Sequence, residues 1–360
     1  MKWDILRVSD TNKWHEILNR FSQTDIYFLP EYHTAYEVNG DGVAYAFVVQ
    51  SDEHLLFYPF FLRSINRVGV ELLTAPWYDI ETVYGYSGPL ATTSDPTFLS
   101  EAWRLFGGWC SEQQVVAEFI RFNPLVKNWS YVDQSCRVTS DRKTVIMNLA
   151  CTEAELWASY PSIHRNMVRK AINKGLMGEE LSLADGMDVF RQLYYSTMER
   201  NQASAYYYFS DAYFNYLRNL TANIRVFVVR LQSEIIAAAL FLHHGDCLHY
   251  HLAASVLKHK SFAPNNLLLH TVAIWGQRQG LHRLHLGGGR TSSPEDSLFR
   301  FKASVSNLRL SYYQGRRVHH SAMYEQLCSM WMCQHQKDVN ACPNHFLLYR
   351  LQEEHESRQV

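Results

Sequence analysis

The pattern of apolar and polar positions predicts β-strands in two separate parts of the chain. In the first half, residues 43–49 and 54–62 are β-rich runs joined by a short polar turn, which is typical of a hairpin. In the second half, residues 225–231, 235–243 and 247–256 form three such runs with polar turns between them. These three runs predict an antiparallel meander.

The same pattern predicts helices where apolar residues recur every three or four positions. One of these helices follows Pro161 and is strongly basic, because positions 165–174 contain four basic residues and no acidic one. The basic residues are Arg165, Arg169, Lys170 and Lys174. This surface is either an ordinary solvated helix face or a binding surface for an anionic ligand, with Arg165 and Arg169 as candidate contacts.

A glycine-rich segment follows another predicted strand, at residues 283–286. Gly287, Gly288 and Gly289 allow a sharp turn or the close approach of a ligand to the backbone. Pro294 and the two acidic residues after it are typical of the first turn of a helix, and that helix would return Lys302 to the glycines. The alternative interpretation is a strand, a flexible turn and a surface helix without a ligand.

Residues 77–90 show neither the period of a strand nor that of a helix. They are crowded with aromatic, acidic and glycine residues, including Tyr84 and Tyr86. Loops of this kind often carry function because a rigid scaffold presents them. The alternative is an aromatic connection that lies over the core, and both interpretations stay open.

Composition restricts the class of protein. With 360 residues, 47% hydrophobic and 19% charged, the chain is expected to be globular and to form about two domains. The formal net charge of -1 provides no overall attraction to nucleic acid or lipid, so a local patch must bind any anionic ligand. Residues 1–5 are too polar for a signal peptide and residues 235–242 are too short to span a bilayer, so we expect a cytoplasmic protein without a transmembrane segment.

The seven cysteines are scattered singly and indicate free thiols in a reducing compartment. The densest group of possible zinc ligands has a spacing that fits no standard zinc motif, and we therefore expect no metal. This group comprises Cys328, Cys333 and Cys342 with His335 and His345.

The two halves share an order of elements, which suggests a duplicated domain. We therefore predict an N-terminal domain over residues 1–141, a C-terminal domain over 142–318 and a helical extension over 319–360. No Ser-His-Asp or reactive-cysteine arrangement is evident, so an enzyme of this sequence would use direct attack rather than a covalent intermediate.

The order of elements resembles that of the GNAT acyltransferase fold, and two such units in tandem resemble the FemABX aminoacyltransferases and their relatives from polysaccharide gene clusters. Five motifs carry the resemblance. They are residues 79–90, 121–125, 165–175, 197–200 and the glycine segment that leads to Phe301 and Lys302. The resemblance implies an α/β (α+β) fold with two tandem GNAT-like domains, whose mixed, mainly antiparallel sheets are flanked by helices.

The resemblance also implies an acyltransferase that moves an activated aminoacyl group, usually from tRNA, to an amine of a cell-envelope or polysaccharide precursor. Lys302 matches the family's catalytic lysine, which helps to stabilise the charged intermediate, and Arg200 and Tyr207 match the acceptor-binding segment. The full set of predicted substrate-binding residues is Tyr84, Tyr86, Arg165, Arg169, Arg200, Tyr207, Gly288, Gly289 and Arg290. No tightly bound cofactor is expected, and the acceptor would be nucleotide- or lipid-linked.

Two departures from the family weaken the case for a peptidoglycan acceptor. Residues 186–220 leave no room for the long helical arm of the larger members, and residues 29–33 lack a lysine that some members use on a nucleotide pyrophosphate. The alternatives are an N-acyltransferase that uses acyl-CoA on an amino sugar, or a catalytically silent GNAT-like binding module. Residues 259–265, where GNAT enzymes hold the CoA pyrophosphate on a glycine-containing loop, contain no glycine.

Overall fold

The computed structural model describes residues 1–335 and 345–351, and it divides into two compact units. The first unit contains Met1–Ser140 and the chain from Tyr313, and the second contains Asp141–Tyr312. Within the described residues the strands are β1 (Lys2–Arg7), β2 (Val43–Gln50), β3 (Leu55–Val68), β4 (Glu71–Glu81), β5 (Leu90–Ala91), β6 (Val115–Arg121), β7 (Arg137–Asn148), β8 (Leu176–Leu181), β9 (Ile224–Leu231), β10 (Glu234–His244), β11 (Cys247–Ser255), β12 (Arg283–Gly287) and β13 (Leu308–Val318).

The α-helices fill most of the connections between these strands. They are α1 (Thr11–Leu18), α2 (Pro30–Asn39), α3 (Pro96–Glu112), α4 (Glu153–Ser159), α5 (Ser162–Asn173), α6 (Leu183–Arg200), α7 (Asp211–Leu217), α8 (Pro264–Arg278), α9 (Ser297–Ala303) and α10 (Ser321–His335). Their ends carry the expected signals: Asp95 caps α3, and Thr152 and Glu155 form the capping box that the sequence predicts at α4.

In the first unit, β1, β2, β3 and β4 are antiparallel neighbours, β4 and β6 are parallel, and Gln314–Val318 of β13 pairs antiparallel with β6. The apolar side of α3 packs on this sheet. The Phe106 ring lies 5.4 Å from that of Tyr58 and 5.7 Å from that of Phe60, centroid to centroid. These contacts make an aromatic core that excludes water from one face of the sheet.

The second unit repeats this order. β8, β9, β10 and β11 are antiparallel neighbours, β11 and β12 are parallel, and Val145–Asn148 of β7 pairs antiparallel with β12. α8 connects the two parallel strands and buries Leu268 and Val272 in the core beside Phe227. The mixed, mainly antiparallel sheets flanked by helices agree with the predicted fold class, and the three-strand meander is confirmed.

The observed division of the chain differs from the predicted one at its C-terminal end. The second unit ends at Tyr312, whereas the prediction extends to residue 318, because the last residues of β13 pair with β6 of the first unit. Residues predicted as a separate helical extension also pack into the first unit. Leu327 and Trp331 of α10 lie in an apolar cluster with Ile65 and Val116.

The sequence pattern does not predict strand β4, whose last residues belong to the segment 77–90 that has neither period. Five of its eleven residues are exposed, and Pro76 interrupts the run, so apolar and polar residues do not alternate. Among the described helices, none combines the length and the apolar character that a bilayer crossing needs. Cys342 of the possible zinc group lies outside the described residues, and within them no three His, Cys, Asp or Glu side chains are placed to hold a metal ion.

Candidate active site

The parallel strands β11 and β12 pair over only a short distance and then separate. Their ladder runs from Cys247 opposite Arg283 to His249 opposite His285, while β11 continues to Ser255 and β12 ends at Gly287. On its other side β11 contains a bulge at His251, because Leu240 and Phe241 are consecutive but pair with Leu252 and Tyr250. An opening of this kind exposes backbone groups to a ligand, and bulges are common beside active sites.

The glycine loop, residues 287–289, lies at the end of β12. Gly287 has a φ of +73°, which favours glycine. A Cβ on Gly288 would lie 3.0 Å from Cδ of Arg142, and a Cβ on Gly289 would lie 2.5 Å from Oδ1 of Asp296. Gly288 and Gly289 are therefore required by the packing of the protein's own chain, which the sequence alone does not show.

Asp296 organises the segment after the glycine loop. Its Oδ1 accepts a hydrogen bond from the Phe299 N–H at 2.9 Å, and its Oδ2 accepts from the N–H groups of Arg290 at 3.2 Å and Thr291 at 3.1 Å. Burial alone would raise the pKa of this carboxyl, but these N–H donors outweigh it and hold the pKa below its ordinary value. Asp296 is thus the N-cap of α9, and the helix begins at Ser297 rather than at Pro294 as predicted.

Lys302, in the last turn of α9, returns to the glycine loop and is buried. Its Nζ donates to the carbonyl oxygen of Gly288 at 2.7 Å and lies 5.8 Å from the centroid of the Tyr250 ring. It therefore lies between the end of β12 and the part of β11 that extends beyond the ladder of these two strands. Burial lowers the pKa of Lys302 to about 7, with Asp296 acting to raise it and Arg142 to lower it further. The ammonium and the neutral amine are both accessible near neutral pH.

Replacing Gly289 by alanine should distort this site, because the new methyl group would collide with the Asp296 carboxylate and with Cβ of Phe299 at 2.9 Å. We expect a loss of about 1–3 kcal/mol of unfolding free energy, the usual cost of overpacking. Urea unfolding of the variant would measure it. Gly107→Ala, in α3, is the control, because nothing lies within 4 Å of a Cβ there and its φ is not positive. Equal losses in the two variants would contradict the steric explanation.

Comparison with known proteins identifies the class of domain that carries this site. Residues 162–302 match the family model described as an acetyltransferase (GNAT) domain. This part of the chain is therefore similar to a GNAT domain. The matched region includes the separated strands and the glycine loop, and it ends at Lys302. No curated protein matches the chain significantly.

Solved structures resemble the chain over most of its length. FemX is 14% identical with a TM-score of 0.65, and the match covers 91% of this chain and 99% of FemX. The C-terminal domain of a putative lysylphosphatidylglycerol synthetase from Agrobacterium fabrum is 13% identical with a TM-score of 0.53, covering 86% and 92%. L-PGS from Bacillus licheniformis is 14% identical with a TM-score of 0.52, covering 85% and 91%. The predicted FemABX-like GNAT fold and acyltransferase class are confirmed.

The two arginines predicted on the basic helix α5 of the GNAT domain have different environments. Nη1 of Arg165 donates to the carbonyl oxygen of Ala158 at 3.2 Å and also to that of Tyr160, so this side chain caps the end of α4. Arg169 is exposed, with its guanidinium carbon 5.2 Å from the centroid of the Trp157 ring. Arg169 is therefore the better placed of the two to contact a ligand.

The predicted acceptor residues of the GNAT domain lie on and after α6. Nη1 of Arg200 donates to the carbonyl oxygen of Ser255 at 3.1 Å, at the C-terminal end of β11. Tyr207 belongs to the exposed segment Tyr206–Tyr208, and its carbonyl oxygen accepts a hydrogen bond from the Tyr194 hydroxyl at 2.8 Å. Arg290 is exposed beside the glycine loop. The substrate roles of these residues stay predictions.

Tyr84 and Tyr86 belong to the first unit, outside the GNAT match. The Tyr32 hydroxyl donates to the carbonyl oxygen of Tyr84 at 2.9 Å, and the Tyr86 ring meets that of Tyr27 edge to face at 5.6 Å. Buried amides also hold this loop, since Asn128 Nδ2 donates to the Ser87 carbonyl oxygen at 2.8 Å. The loop is thus packed and hydrogen-bonded, and a binding role for its tyrosines stays a prediction.

Two residues of the site were not found in the sequence. Arg142 of β7 donates from Nη1 to the carbonyl oxygen of Gly289 at 2.8 Å, and Tyr250 of β11 lies beside Lys302. The alternation of β7 and β11 indicates which face of the sheet a side chain takes. It does not indicate that the fold brings β7, β11 and the glycine loop together.

Proposed function

We propose that the protein transfers an activated aminoacyl group, carried on tRNA, to an amine of a cell-envelope or polysaccharide precursor in the cytoplasm. The observation that carries the proposal is the position of Lys302, a buried cation where β11 and β12 separate in a GNAT domain. The similar structures support aminoacyl rather than acetyl transfer. The name of one of them describes a lysyl group joined to phosphatidylglycerol.

The reaction needs no covalent enzyme intermediate. The acceptor nitrogen attacks the carbonyl carbon of the donor ester, a C–N bond forms, and the C–O bond to the tRNA ribose breaks. The amine loses a proton and the leaving oxygen gains one. The Lys302 ammonium stabilises the negative charge that develops on the carbonyl oxygen, and a preorganised cation in a dry site is especially effective for this purpose.

Helix α5 supplies a surface for a polyanionic donor. Arg169, Lys170 and Lys174 are exposed, and Lys174 Nζ lies 5.7 Å from the centroid of the Phe262 ring, just before α8. The helix has no acidic residue to neutralise them. Basic side chains arranged in this way can bind the phosphate backbone of a nucleic acid. The net charge of -1 gives the rest of the protein no overall attraction to it.

The proposal is tested by offering the purified protein one donor at a time. Aminoacyl-tRNA and acyl-CoA are each incubated with the protein and an amine acceptor, such as a nucleotide-linked amino sugar, and transfer of the radiolabelled acyl group is followed. We expect transfer from aminoacyl-tRNA, and transfer about 10²–10³-fold slower by Lys302→Met. Transfer from acyl-CoA alone would replace the proposal by the CoA-dependent alternative, and absence of transfer from both would reject it.

Reversing the charge of Arg169 should weaken donor binding. For Arg169→Glu we expect about a tenfold loss of affinity for charged tRNA at low salt, and a smaller dependence of affinity on salt, because fewer counterions are released. Filter binding at several salt concentrations would measure both. Lys2→Glu, an exposed reversal of the same size in the first unit, is the control. Unchanged affinity of Arg169→Glu at every salt concentration would exclude α5 from the donor site.

A further inference from the structure

We propose that Arg142 is a positioning residue for acyl transfer, which holds the glycine loop beside Lys302 and through its charge makes Lys302 ready to release a proton. The inference rests on the proposed function, because it assigns Arg142 a part in that reaction. The sequence contains no motif around Arg142, and its place is apparent only from the contacts of its guanidinium.

Two cations bind consecutive carbonyl groups of the same loop. Lys302 Nζ donates to the carbonyl oxygen of Gly288 at 2.7 Å, and Arg142 Nη1 donates to that of Gly289 at 2.8 Å. The stem of Arg142 passes where a side chain on Gly288 would lie, with Cδ and Cγ at 3.0 Å and 3.4 Å from the Cβ position. The glycine therefore makes room for the arginine, and the arginine fixes the loop that Lys302 contacts.

The charges around Lys302 oppose one another. Asp296, at the N-cap of α9, favours the ammonium, and Arg142, from β7, disfavours it. Tyr250, from β11, presents its ring face, which attracts a cation. Other charged groups nearby are engaged or exposed: Asp141 pairs with Arg142, Arg300 pairs with Glu295 at 3.3 Å, and Arg290 is exposed. Arg142 is thus the like charge that opposes protonation of Lys302.

This balance matters because the reaction moves protons. The attacking amine must lose one and the leaving oxygen must gain one, and a side chain that exchanges protons near neutral pH serves both steps better than a permanently charged one. Without Arg142, only burial would oppose the ammonium that Asp296 and the Tyr250 ring favour, and Lys302 would release its proton less readily.

The test measures Lys302 itself and not only turnover. In protein labelled with ¹³C at lysine Cε, NMR follows the titration of Lys302, and Lys302→Met identifies its signal. In Arg142→Gln the titration midpoint should rise by about one pH unit, because a nearby like charge is removed. Arg142→Lys, which keeps the charge, should leave it nearly unchanged. Lys143→Gln removes the exposed charge next in the strand and is the matched control.

The outcomes separate this inference from the proposed function. A midpoint that stays in place in Arg142→Gln, or rises equally in Arg142→Lys and Arg142→Gln, would overturn the inference. If Arg142→Gln does not fold, the inference is tested with Arg142→Lys alone. A raised titration midpoint of Lys302 in that variant would overturn the inference, and an unchanged midpoint would support it. A shifted midpoint in a protein that transfers no acyl group would support the charge effect and reject the reaction.

Discussion

Replacing Lys302 by methionine should lower the turnover of acyl transfer by about 10²–10³-fold, the usual loss when one donor to a developing oxyanion is removed. Methionine fills nearly the same volume, so the fold should survive. Lys302→Arg should recover only part of the activity, because a planar guanidinium cannot take the place of a compact ammonium on the Gly288 carbonyl oxygen. Single-turnover measurements with labelled donor would give the rates.

Stability provides the control for this prediction. The pKa of Lys302 is lowered to about 7 in the folded protein from its ordinary value of 10.5, so between these pH values the unfolded chain binds more protons. The unfolding free energy of the wild type therefore gains a contribution as pH rises from about 7 to 10.5, and Lys302→Met should lack it. A variant that keeps full turnover, or that loses turnover by unfolding, would contradict a catalytic role.

The pH dependence separates the ammonium from other titrating groups. The acceptor amine titrates equally in both proteins, so its effect cancels when the turnover of the wild type is divided by that of Lys302→Arg. This ratio therefore reports the titration of Lys302 alone. If the ammonium acts on the oxyanion, this ratio should fall as pH rises through about 7, because only the arginine stays charged. A ratio that rises with pH would show that the neutral amine is the active form.

The local parts of the site could be predicted from the sequence. Asp296 and Lys302 lie within fifteen residues of the glycines, and the seven-residue helix α9, which Asp296 caps, returns Lys302 to the loop. Arg142 could not be predicted, because 147 residues separate it from Gly289. Only the pairing of β7 with β12 brings them together, and side-chain periodicity does not specify which strands pair.

The sequence also could not show that the two arginines of α5 have different environments. A helical wheel places Arg165 and Arg169 on one polar side, but a wheel does not include the chain that precedes the helix. The carbonyl groups at the end of α4 accept hydrogen bonds from the guanidinium of Arg165. Arg169 instead lies over the Trp157 ring and donates from Nη1 to Oδ1 of Asn166 at 3.5 Å. Strand β4 was also not predicted, because its exposed residues do not pack on a core and so need not alternate between apolar and polar types.

The second large effect is expected in the core of the first unit, where Glu118 and Arg317 form a buried ion pair. Glu118 is fully buried and accepts hydrogen bonds from Arg317 Nη1 at 3.0 Å, from His319 Nε2 at 2.9 Å and from the Tyr58 hydroxyl at 2.9 Å. Burial alone would raise the pKa of this carboxyl, but Arg317 and then His319 and Tyr58 outweigh it and lower the pKa. The buried charge of Glu118 is therefore compensated mainly by Arg317.

Arg317→Met should cost about 3–5 kcal/mol of unfolding free energy, because it leaves a buried carboxylate without its cation. The Glu118→Gln and Arg317→Met double variant should lose less unfolding free energy than the sum of the two single losses, since no uncompensated charge then remains.

The stability of Arg317→Met should also depend on pH. In this variant burial should raise the pKa of Glu118 above its unfolded value, so the deficit in unfolding free energy relative to the wild type should shrink as pH falls. Urea unfolding at several pH values measures these effects. A cost below about 1 kcal/mol for Arg317→Met, or a deficit that grows towards acid, would show that the pair contributes no more than an exposed salt bridge.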